Sequence, residues 1–486
     1  MQSRSSERIV RSRRVALGGV TEPLRVAPAN LHLSGARITA ISDYDAPLPP
    51  ADGARVGVGV GVVVEDHGDD LITPSFVDAH VHAPMLYFRG LGSALAMRGN
   101  VVEDVFYAVE SKLEPSDVRA FARLGAYELL RVGTGTIWEH YYFGEELAAG
   151  LRDAGITGFV APTLQDRSGP GVPWLEQQLD ATIALCEDDD LAEAGLFAAL
   201  GPHATDTVSA ALWQRIATLA QERGLPVHAH VAQSYEEVER AWQTAGCSPV
   251  EMLQRSGALD ASHRFLMVHG IFLSDADLGR LDPARHTLGF CPFSQLQFSV
   301  PADVLRWTAR GLPWVVATDC AACNDGMDVQ KELRFVSGAR ALRAAHSSER
   351  EAFARAGSLT AAAELERTRQ AAYDLDHGWS DPAALLSRVW SIPGVLDPRW
   401  PAGALEAGRV ANYCVWDIED PAFWPGIDPL RALAMGSPLP ALRRHVVAGR
   451  PVGRDGDVRT LGEQAEVREA AREARRRLEL LLARLN

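Results

Sequence analysis

Cysteine is scarce. Six in a chain of 486 residues are too few to staple a protein of this length, so a disulfide framework is excluded and a reducing cytoplasm is the expected setting. Long apolar runs are missing as well. No stretch approaches the ~18 consecutive apolar residues that span a bilayer, and the Arg- and Ser-rich segment Met1–Arg14 leads into no apolar signal-peptide core. Basic charge is in deficit, with 48 Lys and Arg against 63 Asp and Glu, a formal net charge of −15. A surface of that sign repels phosphate backbones, which argues against nucleic acid as a partner. No period of 20–50 residues repeats clearly enough to suggest a solenoid. What is present is ordinary globular composition, 47% hydrophobic and 23% charged, in a chain long enough for a large core.

The texture changes along the chain. The first seventy residues are β-rich and Gly-rich: Val15–Gly18, Leu31–Leu33 and Arg37–Ile41 are short strand-like runs, and 51–68 reads as a loop or an edge hairpin. From about Leu71, short apolar runs alternate with longer amphipathic segments, the βα signature of a parallel sheet. Eight such runs are visible: Ile72–Val81, Gly135–Trp138, Ile156–Pro162, Gly195–Leu200, Pro226–Val231, Arg264–His269, His286–Cys291 and Pro313–Thr318. Helical periodicity fills the intervals at Ser116–Val132, Thr207–Arg223 and Tyr235–Ser256. Eight units predict a closed (β/α)8 TIM-type barrel, whereas an open doubly wound sheet leaves two runs unused. Strand texture returns at Leu405–Trp416 and Leu442–Gly449, and joins the N-terminal strands as one discontinuous β-sandwich domain. The expected division is therefore 1–72 and 401–460 for the small β domain, 73–400 for the barrel, and 461–486 for a C-terminal helix. That helix carries the stripe Val467, Ala471, Ala474, Leu478, Leu481 and Leu485, which either docks on the barrel or meets a second subunit.

The chemistry gathers at the ends of those runs. In Asp78-Ala-His80-Val-His82, residues two apart on a strand share a face at ~6.6–7 Å, so two imidazoles can meet one metal ion. His-x-His alone is weak evidence. His228-Ala-His230 ends the fifth run, His269 the sixth, and Asp319 follows the eighth. Each places an imidazole or carboxylate at a strand's C-terminal tip, the face where such barrels keep their active sites. Nitrogen and oxygen donors without thiolate suit zinc, iron or manganese.

In this order the residues resemble the amidohydrolase superfamily, in its aminohydrolase and chlorohydrolase branch of triazine hydrolases, guanine deaminases and adenosine-derivative deaminases. Matching segments include Thr73–His80, Ala83–Gly90, Gly133–Thr136, Gly201-Pro-His203, Cys291-Pro-Phe-Ser294, Thr318–Asp325 and Gly403–Asn412. The resemblance covers roughly residues 15–450. It implies that His80, His82, His230 and Asp319 hold one divalent metal per chain, zinc above all, with Fe2+ or Mn2+ as other ions the set suits. It makes Asp319 and His269 catalytic, Asp319 as proton acceptor and His269 beside the metal. It implies hydrolysis of a non-peptide C–N bond in a small molecule, most simply deamination of an amino-heterocycle or amidine. Removal of an alkylamine or halide is an alternative, as is a binding protein without turnover. A homodimer is expected, since relatives in this branch commonly form one.

His230 is preferred to His228 as ligand because it lies nearer the strand end, with the family's His-x-x-Glu spacing. The chain departs from that pattern: the position holds Gln233. A glutamine amide donates and accepts hydrogen bonds but performs no general acid–base work. Gln233 is therefore expected to stand with Asp319 and His269 in the catalytic set by holding the substrate, with the proton already on it or moved by another group; the alternative is a site that has lost activity. His203 and Arg89 are further substrate-binding candidates, and Trp138–Tyr142 are candidate pocket walls. Cys320-Ala-Ala-Cys323 has no second pair and is poor evidence for redox work, and Gly57–Gly61 lacks a phosphate-loop lysine.

Overall fold

The computed structural model describes residues 7–49, 62–90, 100–345, 347–374 and 381–485. Residues 51–61, including Gly57–Gly61, lie outside them, as does the start of Met1–Arg14.

Eight parallel strands close into a ring. Barrel strands one to three are Phe76–His82, Thr134–Tyr141 and Thr157–Leu164; the fourth is split into Leu196–Ala198 and Gly201–Pro202. Strands five to seven are Val227–Val231, Phe265–His269 and His286–Phe290, and the eighth is split into Trp314–Val316 and Asp319–Cys320. Neighbours pair in parallel from one to four and from five to eight. A Leu200–Val227 bridge joins four to five, and Asp319–Cys320 pairs with Val81–His82 to close the ring. The first three strands are buried along their whole length, as strands enclosed between core and helices must be.

The run Ile72–Val81 is not one strand. Leu71–Pro74 pairs with Arg14–Val15 and with Tyr413–Trp416 in the small sheet, and the barrel begins only at Phe76. Ser75 stands between them, so the expected boundary at 72/73 cuts a strand of the small sheet. Hydrogen bonds link all eight strands of this region into one sheet, with Arg450–Asp457, Leu442–Val447, Tyr413–Trp416, Leu71–Pro74, Glu7–Leu17, Arg25–Ser34 and Arg37–Asp43 in order. The eighth, Val63–Asp66, pairs with Glu7–Leu17. Ala29, Leu31 and Leu33 alternate onto one buried face, the period-two pattern that fixes register.

Helix Pro115–Arg131 begins on a capping box between Glu114 and Asp117 and buries Val118, Phe121, Ala122 and Leu129. At Gly125 a Cβ would lie 2.3 Å from the Ala83 carbonyl, so glycine lets the chain leaving His82 pass against this helix. The expected helix Tyr235–Ser256 is two, Tyr235–Ala245 and Pro249–Arg255. Gly246 ends the first in the left-handed region, and Ser248 caps the second with Pro249 following it. The C-terminal helix Ala465–Leu485 turns Ala470, Ala474 and Leu481 inward, and its Arg484 reaches the buried Asp117. Of the expected stripe, Ala471 and Leu485 face solvent.

Candidate metal centre and active site

Asp78, His80 and His82 share one face of the first barrel strand, by its period of two. Asp78 never reaches the cavity. Its carboxylate accepts from the Thr318 amide and hydroxyl, tying strand one to strand eight just below Asp319. Burial pushes Asp78 up to about 7.

His80, His82 and His230 bring one ring nitrogen each within 4.8 Å of one another, all buried. Asp319 Oδ1 lies 3.7 Å from His80 Nε2 and 3.5 Å from His82 Nε2. The other nitrogen of each imidazole is engaged behind the cluster. His82 Nδ1 donates to the His140 carbonyl, and His230 Nδ1 donates to the His203 carbonyl at 2.8 Å. His80 Nδ1 meets His228 Nε2 at 2.8 Å, so His228 sits one layer deeper and orients His80 rather than joining the cluster. Such partners fix the ring and tautomer of metal-ligating histidines.

The protonation arithmetic tests whether a cation fits. A carbonyl only accepts, so Nδ1 of both His82 and His230 must carry the proton. Burial lowers the pKa of both rings, keeping them neutral, and their Nε2 atoms are then bare lone pairs facing each other at 3.4 Å. Two acceptors at that distance repel unless a cation lies between or beside them. Among the described residues, His80 Nε2 and both ring nitrogens of His269 are buried and find no hydrogen-bond partner, although buried polar atoms are rarely left so. Asp319 supplies the anionic donor. Burial alone would raise it, but the imidazoles around it hold it well below the usual carboxylate range, while Ser294 Oγ donates to its Oδ2 at 2.6 Å. Cys291 lies near Asp319 and His269, but burial keeps its thiol protonated, so it offers no thiolate. The donor set fits a divalent cation.

The cluster opens into a cavity at the mouth of the barrel. His203, Gln233, His269 and Asp319 line it, with Met85, Val101, Phe106 and Tyr107 as an apolar wall. His140, Tyr141 and Tyr142 line it too; Trp138 and Glu139 do not. Trp138 stacks on Phe159 at 4.2 Å inside the barrel, and Glu139 accepts from the Ala83 and His140 amides, holding the turn after His82. Arg89 is a correction. Its Nη2 donates to both carboxylate oxygens of Glu128 on helix Pro115–Arg131, at 2.7 and 2.9 Å, and it is not among the described residues that line the cavity; the carboxylate holds it away from there. Cys320 and Cys323 are free thiols, 3.1 Å apart on the cavity wall.

Gln233 is half-buried, and its backbone amide donates to Glu237 at 2.7 Å. Glu237 also accepts from the Ala232 amide and Thr205, so this carboxylate braces the turn and does not replace the missing acid at 233. Sequence reasoning missed Asp78, Glu237 and Glu110, a buried carboxyl on the cavity wall. A signal existed for Asp78, two residues before His80 on the same strand face. For Glu110 none did, because a lone glutamate after an apolar stretch looks like any solvated helix charge.

A closed parallel barrel presenting such donors at its C-terminal face defines a metal-dependent hydrolase. Comparison with known proteins gives the class its family. The sequence profile of the amidohydrolase family matches residues 71–363. The 5-methylthioadenosine/S-adenosylhomocysteine deaminase of Natronomonas pharaonis is 27% identical over 413 residues, covering 83% of this chain and 86% of that one. Among solved structures, a zinc-bound adenosine deaminase from Xanthomonas campestris superposes with a TM-score of 0.75 at 22% identity, over 98% of this chain and 99% of its own. An atrazine chlorohydrolase from Arthrobacter aurescens in complex with zinc gives 0.75 at 17% identity, over 97% and 100%. The chain belongs to the amidohydrolase family. It is a hydrolase of carbon–nitrogen bonds other than peptide bonds.

Proposed function

We propose that the protein is a zinc-dependent deaminase of a small amino-substituted heterocycle or amidine, working in the cytoplasm as a homodimer. The observation that carries this reading is the facing pair of bare Nε2 atoms on His82 and His230, 3.4 Å apart. His80, His82, His230 and Asp319 would hold one Zn2+ per chain, with Fe2+ or Mn2+ as ions of similar fit. When bound, such an ion supplies a water acidic enough to attack carbon at neutral pH. Asp319, oriented by Ser294, accepts the proton that the attacking water loses and returns it to the departing nitrogen. His269, with both ring nitrogens bare, holds the attacking oxygen by a hydrogen bond. Gln233 and His203 bind the ring nitrogens of the substrate.

Because an amide moves no proton, the chain favours rings that are cationic or strongly electron-poor over neutral aminopurines. The Natronomonas pharaonis relative is named as a deaminase of adenosine derivatives, which supports an amino-heterocycle. The exposed side chains of Leu480, Leu482 and Leu485 on the C-terminal helix support the dimer, and sedimentation as a monomer at micromolar concentration would contradict it.

The deciding experiment screens zinc-loaded protein for ammonia release from aminopurines, aminopyrimidines, triazines and guanidino compounds. Release from at least one class is expected. Release of an alkylamine or halide instead would change the leaving group, and metal binding without any turnover would make the protein a binding module.

A further inference from the structure

The side chain of His140 has no part in the chemistry proposed above. It sits near the tip of the second barrel strand, buried, with its ring 5.1 Å from that of His230. Its Nδ1 meets Thr163 Oγ1 on the third strand at 3.2 Å. Its Nε2 is buried and, among the described residues, finds no hydrogen-bond partner; His228 Nδ1 is in the same state. Buried polar atoms are rarely left so, and here two of them belong to neighbouring rings. The imidazoles of His140 and His228 stand edge to face, at 85° with 5.4 Å between centroids. His80 and His228, which share a hydrogen bond of 2.8 Å, stand at 86° and 4.9 Å. The second pair therefore repeats the arrangement of the first with a slightly wider gap.

Tautomers decide what passes between these rings. Burial keeps His80, His228 and His140 neutral, so each carries one N–H and one bare nitrogen. A cation on His80 Nε2 leaves the proton of that ring on Nδ1, which donates to His228 Nε2. His228 must then hold its own proton on Nδ1, as a donor in need of an acceptor. Two rings with an orphaned nitrogen flank it. Trp138, 6.1 Å away between centroids, has an indole N–H that only donates. His140 Nε2 accepts, provided that its ring keeps the proton on Nδ1, and the Thr163 hydroxyl takes that proton in hydrogen bonding. We infer that His140 is a positioning residue for the metal centre: it accepts from His228 Nδ1 and so locks three imidazoles into one tautomer chain that leaves His80 Nε2 bare. The chain crosses the barrel interior from strand one to strands five, two and three. Each link polarises the next, which makes His80 a more basic ligand.

The inference rests on the metal reading of the cluster, and zinc affinity separates the two. Full-length wild type, His140→Phe, His140→Gln, His228→Ala and the His228→Ala, His140→Phe double variant are stripped of metal. Each zinc dissociation constant is measured by competition with a chelator, and the thermal midpoint of each stripped protein is taken alongside. His140→Phe should weaken zinc binding roughly 10-fold, the lower end of the range for a residue behind a ligand. His140→Gln should stay within about threefold of wild type, because its amide oxygen accepts in place of Nε2. In the His228→Ala background, His140→Phe should change the affinity by less than about twofold, since the chain is already cut. A residue that only fills space would lower the stripped midpoint and weaken zinc equally in both backgrounds. That result overturns the assignment, as does an unchanged affinity in folded His140→Phe. Should His140→Phe fail to fold, the ring nitrogen-15 signals of histidine-labelled, zinc-loaded wild type decide, with His140→Gln supplying the assignment. A proton on Nδ1 and a bare Nε2 at His140 uphold the chain; a proton on Nε2 overturns it. A wild type that binds no zinc sinks the metal reading and this inference together, whereas zinc held as tightly without the His140 acceptor sinks the inference alone.

Discussion

His445, at the junction of the small sheet and the barrel, gives both ring nitrogens to the protein. Nδ1 donates to the Leu130 carbonyl at 2.8 Å, and Nε2 meets Ser75 Oγ at 3.0 Å. His286 is held as fully, between the Asp282 amide and the Leu259 carbonyl. His269, as deeply buried at the barrel mouth, gives neither nitrogen to any partner, and His80 leaves Nε2 bare. Each buried polar group without a partner costs about 1–3 kcal/mol, so His269 and His80 carry a cost that His445 and His286 avoid. Strain collects in the same place. His269, Asp319 and Ala232 have φ of 78°, 67° and 53°, a region that non-glycine residues occupy at a cost. Burial of histidine alone therefore says little; what separates His445 and His286 from His80 and His269 is whether both nitrogens are used.

The strongest way to break this contrast is to remove a bare-nitrogen ligand. His230→Ala should lower ammonia release by more than about 10³-fold, since a metal's stabilisation of the reaction is worth several kcal/mol, while the fold survives in circular dichroism. Near-normal turnover would make the mouth no different from the junction. Gln233→Glu sharpens the comparison within the mouth. A well-placed proton donor is worth roughly 10²–10⁴ in rate, so kcat/KM on a neutral aminopurine should rise toward the lower end of that range, with less change on a cationic substrate. High native rates on neutral aminopurines would show that another group already moves the proton, His269 first.

His228→Ala probes an imidazole that serves through another. Its loss frees His80 Nδ1 and should weaken zinc affinity by ~10–100-fold, the usual effect of a partner behind a ligand, read by competition with a chelator. The remaining effect belongs to the junction and falls on stability rather than on turnover. Burial holds His445 down to about 4 from an ordinary 6.5. Its folded-state value lies below its unfolded one, so its contribution is complete above pH 6.5 and fades as pH falls toward 4. At about 1.4 kcal/mol per unit that is of order 3 kcal/mol. The stability gap between wild type and His445→Gln should shrink across that window in denaturant titrations. A gap independent of pH would contradict the assignment.

Much of this architecture was legible before any coordinates. The eight barrel runs each overlap an observed strand, because apolar runs separated by amphipathic helices leave little choice of topology. Pattern failed where tertiary pairing decides. Leu71–Pro74 and Phe76–His82 form one apolar stretch in the sequence, and only their different partners separate them. The helix expected over 235–256 broke because Gly246 and Ser248-Pro249 are local signals that a long-period reading passes over. At the site, His80, His82, His230, His269 and Asp319 were visible as metal-type residues at strand ends. Arg89 misled, since its Glu128 partner is 39 residues away. Glu110 and Glu237 stayed hidden because a carboxylate's burial depends on loops that no periodicity describes.

The central claim is that the bare nitrogens at the mouth are bare for a metal ion. Stripping the purified protein with a chelator and titrating zinc back, with metal content and ammonia release followed together, tests it most directly. The account predicts activity lost on stripping and restored at about one zinc per chain, as one four-donor set requires. Full activity in metal-free protein would contradict it.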